Sequence, residues 1–417
     1  MGFARHYFFR QGKYSPKIPV NTPNNLRISI IIPVYNEPDF FKTIVSLFEN
    51  FPIHSGAEII AVINAPESAP EAAIKQNQET LQGISAWKKQ YTNHWLKIHV
   101  IYAPGLPKKF AGAGLARKTG MDEAVYRFQT INNPDGIIVS LDADVVCEKN
   151  YLLEIEKFFD TRPDAAGCNI NFEHPVSGNE FPLNVYDAIV KYELYLRFYR
   201  QGLKFCGFPY PFHTMGSAFA VKAGVYAQQG GMNKQQGGED FYFLNKIFPQ
   251  GNFHEITTTT VIPSPRTSGR VPFGTGQAIQ EIIRSPDYLT YNFQAFRDLK
   301  ILFSSVYQLF QIEEEGIADF FSSLPLPVTG FLKKYNAPEK ITEINRHTAS
   351  ETAFIKRFFN WFSAFRIVKF LNESHRQGYY HKLPVETAAA ELLREFNFSE
   401  PATEALELLE IFRGVDR

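Results

Sequence analysis

The sequence predicts an α/β protein, with a mixed, mostly parallel sheet flanked by helices and an α-helical region at the C-terminal end. Three observations carry this. From Ile28 onward, short β-rich runs alternate with helical segments; the strand-like runs are apolar along their whole length; and from about Asp298 only helical periodicity is present. Continuous apolar strands separated by helices require a sheet covered on both faces, which is the parallel arrangement. With 417 residues the chain exceeds one ordinary domain, and a core of about 250 residues with a smaller appendage is expected.

Residues 1–26 are polar, proline-containing and without period, and are expected to form a surface arm. ISIIIP then begins a strand, and DFFKTIVSLFEN places Phe41, Ile44, Val45 and Phe48 on one helical face. EIIAVIN (Glu58 to Asn64) is a second strand, Pro70 to Tyr91 a polar helix, IHVIYA a third strand, Leu115 to Phe128 a helix, and GIIVSLDAD the fourth strand. A helix from Lys149 to Asp160, the strand AAGCNINF, an aromatic helix from Asn184 to Arg200, the strand SAFAVK and an acidic helix from Glu239 follow. The expected organisation is an arm (1–26), a catalytic domain (27–297) divided near 148/149, and a helical domain (298–417).

The composition limits the choice of partners. Lysine plus arginine and aspartate plus glutamate both number 43, so no bulk field draws the chain to nucleic acid or to an anionic membrane. Cys147, Cys168 and Cys206 have no paired spacing and read as reduced, buried thiols. Neither an apolar run long enough to span a bilayer nor a signal-like N-terminal segment is present, and the expectation is a cytoplasmic protein. The segment Phe354 to Leu371, FIKRFFNWFSAFRIVKFL, admits two readings: an amphipathic element at the inner face of the membrane, or, more in keeping with aromatics spread around the helix, a core element.

Ligands of open α/β sheets bind beyond the carboxyl ends of the strands, where PVYNE, Asn64 and the pair Asp142/Asp144 of SLDADVV fall. An isolated DxD is more often a strand-ending turn, but two aspartates there also suit Mg²⁺ or Mn²⁺ and a diphosphate. Glu239 and Asp240 follow Gly237 and Gly238 and open a helix, as dipole-complementing acids do, and as a catalytic carboxylate would. PSPRTSGRVPFGTG supplies Arg266 and Arg270 on a Gly/Ser/Pro-rich loop suited to cover a phosphate. His254 is a candidate third metal ligand.

Taken together and in this order, IIPVYNE, the Ala-Arg pair of GAGLARKTG, LDAD and GGED resemble the family 2 glycosyltransferases over about Ile28 to Arg284. The resemblance implies a GT-A fold and transfer of a sugar from a nucleoside-diphosphate donor with Mn²⁺ or Mg²⁺, mostly with inversion. Matched motif by motif, it implies that Pro33, Tyr35 and Glu37 meet the nucleoside, Asn64 the base, and Arg117 the nucleotide. It further implies that Asp142 contacts the nucleotide sugar and, with Asp144, holds the metal, and that 27–148 takes the donor and 149–297 the acceptor. The chain departs from the family pattern at VINAPES, which replaces two acids and Gly-Ser, and at Lys118, which replaces a common asparagine.

The expected activity is transfer of one sugar, with a UDP-sugar favoured because Asn64 offers a pyrimidine edge both donor and acceptor. The acceptor is expected to be a saccharide or a lipid-linked saccharide in cell-surface polysaccharide synthesis, with Asp240 as base and Glu239 orienting. A sugar-phosphate nucleotidyltransferase is the competing enzyme class, but the loop after its first strand needs glycine, and VYNEPDF has none. A non-catalytic nucleotide-sugar-binding protein is the third reading.

Overall fold

A computed structural model describes residues 2–12, 14–91, 93–235, 237–268, 274–398 and 402–417. They divide into two compact units, one of residues 1–175 and 214–277, the other of residues 176–213 and 278–417. The second unit thus includes a stretch, 176–213, that the sequence reading assigned to the catalytic domain.

The first unit is built on an eight-stranded sheet. Its strands are β1 (Leu26–Val34), β2 (Gly56–Pro66), β3 (Leu96–Leu106), β4 (Ile137–Ser140), β5 (Val145–Cys147), β6 (Gly167–Phe172), β7 (Phe219–Lys222) and β8 (Phe253–Pro263), in the spatial order β3-β2-β1-β4-β7-β6-β8-β5. The pairs β2/β3, β1/β2, β1/β4 and β6/β8 are parallel, whereas β4/β7, β6/β7 and β5/β8 are antiparallel. This is the mixed, mostly parallel sheet that the apolar runs predict. Ile28, Ile30, Ile31 and Ile32 are fully buried, as are Ile59, Ile60 and Ala61 on the neighbouring strand, because helices cover both faces.

Strand β8 is absent from the sequence reading. Its signal was the β-branched run ITTTTVI, which favours a pleated surface.

Along the chain the helices are α1 (Arg5–Gln11), α2 (Phe40–Phe48), α3 (Glu71–Gln90), α4 (Ala113–Thr130), α5 (Tyr151–Thr161), α6 (Leu183–Phe205, in the second unit), α7 (Ala223–Gln228) and α8 (Glu239–Ile247). The N-terminal arm is a docked element, not a loose one. Tyr7 donates to Asp122 Oδ1 at 2.5 Å, Tyr14 donates to Glu123 Oε2 at 2.6 Å, and Arg127 Nη1 donates to the Val20 carbonyl at 2.8 Å. Asp122, Glu123 and Arg127 all lie on α4, so the arm supplies the partners that these buried charges need.

The second unit is helical, with α9 (Thr275–Arg284) opening at its boundary, then α10 (Gln294–Ser305), α11 (Glu314–Ser322), α12 (Leu326–Lys334), α13 (Ala337–Arg346), α14 (Glu351–Trp361), α15 (Ala364–Arg376), α16 (Val385–Glu395) and α17 (Ala405–Asp416). A short antiparallel ladder joins β9 (Leu289–Thr290) to β10 (Leu383–Pro384). Helix α6 belongs here because its apolar face, with Val185, Ala188 and Ile189, packs on Ile279 and Ile282.

The aromatic segment 354–371 is two helices, broken at Phe362 and Ser363. Phe354, Phe358, Phe359, Trp361, Phe362 and Phe370 are buried, and Phe303, Phe331 and Phe362 are in ring contact, which is the core reading of that segment. No described helix is long and apolar enough to cross a membrane.

Candidate active site

Because β1, β2 and β4 run parallel, Val34, Pro66 and Ser140 end at one edge of the sheet. Antiparallel β7 begins there, opposite Ser140, and parallel β8 reaches the same edge, where Pro263 pairs with Val145 of β5. Tertiary pairing alone brings the loop after β8 to the Asp142/Asp144 pair.

Arg117, on the first turns of α4, is the centre of this edge. Its Nη1 donates to Glu239 Oε1 and its Nη2 to Asp142 Oδ1, both in short contacts. Burial alone would lower the guanidinium pKa, but the charges of Asp142, Glu239 and Asp240 outweigh it and raise it. Arg117 is therefore a fixed cation. Its Nε, buried, has no hydrogen-bond partner among the described residues.

Asp240 lies beside this clamp. Burial, and next the neighbouring Glu239 charge, push its pKa up to about 6, with Arg117 opposing. Gly238, at φ 71°, turns the chain into α8 through a left-handed conformation that glycine adopts without strain. Gly216 closes the other side: a Cβ there would stand 2.8 Å from Arg117 Nη2 and 2.9 Å from Asp240 Oδ2. Its carbonyl accepts from Ser140 Oγ at 2.6 Å, which fixes this bare backbone against both groups. The sequence reading passed over Gly216; its only signal was a glycine between two apolar stretches in HTMGSAFAV.

A second arginine clamp lies at the same edge. Arg266 Nε donates to Asp144 Oδ2 at 2.9 Å, its Nη1 donates to Glu37 Oε1 at 2.8 Å, and its Nη2 pairs with both carboxylates. Among the described residues, five carboxylates (Glu37, Asp142, Asp144, Glu239, Asp240) lie around these two guanidinium groups, and the neighbouring negative charge adds to burial in raising the Asp240 pKa.

The remaining predicted residues fall as follows. Pro33 and Tyr35 are half-buried at the carboxyl end of β1. Asn64, buried in β2, donates from its Nδ2 to the Gly112 carbonyl at 3.0 Å, anchoring the entry to α4. Lys118 faces the other way and donates to Tyr7 Oη at 2.8 Å. Arg270 lies outside the described residues.

His254 is not brought to the pair. It sits at the amino end of β8, opposite Cys168 and in edge contact with Phe158. Strand β6 measures the separation: its Cys168 stands opposite His254 and its Phe172 opposite Val261, about 13 Å at roughly 3.3 Å per residue, and Pro263, which pairs beside Asp144, is two residues further on. Among the described residues no group of three or more His, Cys, Asp or Glu side chains is placed to hold a metal ion.

The family model described as Glycosyl transferase family 2 matches residues 29–226, which span β1 to β7 and include Arg117, Asp142 and Asp144. Residues 29–226 are a family 2 glycosyltransferase domain. The protein is accordingly a glycosyltransferase, and the mixed sheet described above is the GT-A fold of that family.

Solved structures similar to this glycosyltransferase include S. aureus TarS 1-349 in complex with UDP-GlcNAc. That match has 14% identity and a TM-score of 0.41, and covers 85% of this chain and 93% of that one. Another is the mannosyltransferase PcManGT from Pyrobaculum calidifontis in complex with GDP-Man and Mn²⁺, with 14% identity and a TM-score of 0.38, covering 99% of this chain and 94% of that one. Both likenesses are distant. Among curated proteins no sequence match was found.

Proposed function

We propose that this glycosyltransferase is metal-dependent and inverting, moving one sugar from a nucleoside-diphosphate sugar, preferentially a UDP-sugar, to a saccharide or lipid-linked saccharide acceptor in cell-surface polysaccharide synthesis. The observation that carries the reading is the Arg117 clamp. One buried guanidinium joins Asp142, at the end of β4, to Glu239, at the start of α8, with Asp240 beside it.

Inversion requires a base on the face of the sugar opposite the leaving diphosphate, and Asp240 fits that role. With its pKa near 6 it is ionised at neutral pH yet basic enough to take the proton of an acceptor hydroxyl. Glu239, engaged by Arg117, orients rather than reacts. Gly216 lets Arg117 and Asp240 pack directly on bare backbone, which keeps the Asp240 carboxylate in place.

Asp142 and Asp144 fit a divalent cation by donor type and position. Both are hard oxygen ligands at a strand end, with side-chain exposures of 38% and 24%. A bound Mn²⁺ or Mg²⁺ would neutralise the charge that gathers on the departing diphosphate. Arg266, on the loop after β8, contacts Asp144 and brings a cation of the chain to that place. Pro33, Tyr35 and Asn64 line the end of β1 and β2 where the nucleoside is expected.

The reading is tested by incubating the protein with Mn²⁺ and a panel of nucleotide sugars and following release of free nucleoside diphosphate. Release from a UDP-sugar that disappears in Asp144→Ala supports it. No release from any donor, or release unchanged by EDTA and by Asp144→Ala, rules out the metal-dependent form.

A further inference from the structure

We propose that Arg266 is a built-in counter-cation of Asp144, held there by Glu37, and that a divalent metal must displace it to bind. The inference rests on the reading of Asp144 as a metal-binding carboxylate and extends it to a residue that competes for that carboxylate.

The geometry is specific. Arg266 presents Nε and Nη2 to Asp144 Oδ2 at 2.9 and 2.8 Å, and it spans Glu37 with Nη1 and Nη2. A guanidinium fork bound across two carboxylates satisfies their charge much as a small cation would, through directed donors. Glu37 is 2% exposed, and its pairing with Arg266 offsets part of the cost of burying that charge.

Its anchors explain why it stays. A guanidinium stays charged at all ordinary pH, and two carboxylates hold this one through directed hydrogen bonds. The Ser264 amide donates to the Asp144 carbonyl at 3.1 Å, tethering the loop that bears Arg266 to the same aspartate. A metal ion at Asp144 therefore meets a positive charge already in place, and repulsion between unit charges a few ångströms apart outweighs tenfold in affinity even at an effective dielectric of about 20. Once displaced, the same guanidinium lies on a loop beside the expected diphosphate, where its fork suits phosphate oxygens.

The test is Mn²⁺ binding to the full chain without nucleotide, read as loss of the free-ion paramagnetic resonance signal. Arg266→Gln should bind Mn²⁺ at least about tenfold tighter than the parent, and Arg266→Lys, which keeps the charge, should stay near the parent. Glu37→Gln, which loosens the anchor but leaves the loop intact, should tighten binding about threefold, and it serves if Arg266→Gln does not fold.

Equal or weaker binding in Arg266→Gln, with binding still lost in Asp144→Asn, overturns the counter-cation role and leaves the metal reading standing. Binding unaffected by Asp144→Asn in either background overturns the metal reading itself, and the proposal with it.

Discussion

Each unit contains a network of arginines and carboxylates, and the two are balanced in opposite directions. In the helical unit, Asp416 of α17 accepts from Arg197 at 2.6 Å and from Arg200 at 2.7 Å, while Glu193 of α6 accepts from Arg413 at 2.8 and 2.9 Å. Among the described residues, three guanidinium groups there meet two carboxylates. Burial would raise the Asp416 pKa, but His213, Arg200 and Arg197 hold it well below the ordinary carboxylate range. Among the described residues of the sheet unit, five carboxylates lie around two guanidinium groups, and Asp240 is pushed up to about 6.

The same residue types therefore do different work. A cationic excess around a sealed carboxylate locks α17 onto α6, whereas an anionic excess at a half-open strand edge raises the proton affinity of Asp240. Charge balance and access distinguish a structural network from a chemical one.

Several changes break or sharpen this contrast. The largest effect is expected for Asp240→Asn, which removes the proposed base and should lower turnover by about 10²- to 10⁴-fold. Donor binding by calorimetry and the melting temperature should both be retained; a fall in melting temperature with turnover intact would make this network structural like the other.

Asp416→Ala should do the reverse, costing about 3 kcal/mol by stranding buried arginines and leaving turnover per folded molecule unchanged in a denaturant titration followed by assay. Because the folded pKa of Asp416 is depressed, its contribution is present above the ordinary carboxylate pKa and is lost as pH falls through the folded value. Acid should thus weaken the difference between Asp416→Ala and the parent.

Gly216→Ala would drive a methyl to 2.8 Å from Arg117 Nη2 and 2.9 Å from Asp240 Oδ2. A turnover loss of about 10- to 100-fold is expected from misplacement on this scale, and an unchanged steady-state rate would show that the gap is dispensable. The smallest effect is in the pH profile. Asp240 must be ionised to act, so kcat/KM should fall as pH drops through about 6, by about tenfold per pH unit below it. An acid limb near pH 4 would mean that a less perturbed carboxylate is the base.

The fold and the candidate groups were legible along the chain. Apolar runs without alternation declare a covered sheet, and Asp142, Asp144, Glu239, Asp240 and Arg117 stand in motifs whose residue types suit one reaction. Local patterns left three things hidden. The ITTTTVI strand is polar enough to pass for a loop, so the reach of β8 to Asp144 went unseen, and with it the displacement of His254 to the far end. The arm 1–26 has no period because its contacts are single side chains meeting buried charges on α4. Gly216 has no chemical group at all, and only coordinates show what a side chain there would strike.

By itself the sequence determined the class of sheet, the order of its motifs and the chemical character of each candidate group, since periodicity and residue type are local properties. Only the tertiary structure decided which groups share a charge. The pairing of β5 with β8 delivers Arg266 to Asp144 and Glu37, and the placement of α4 delivers Arg117 to Asp142 and Glu239. The arginine partners of Glu37, Asp144 and Glu239 lie more than a hundred residues away in the chain, at distances that folding alone sets.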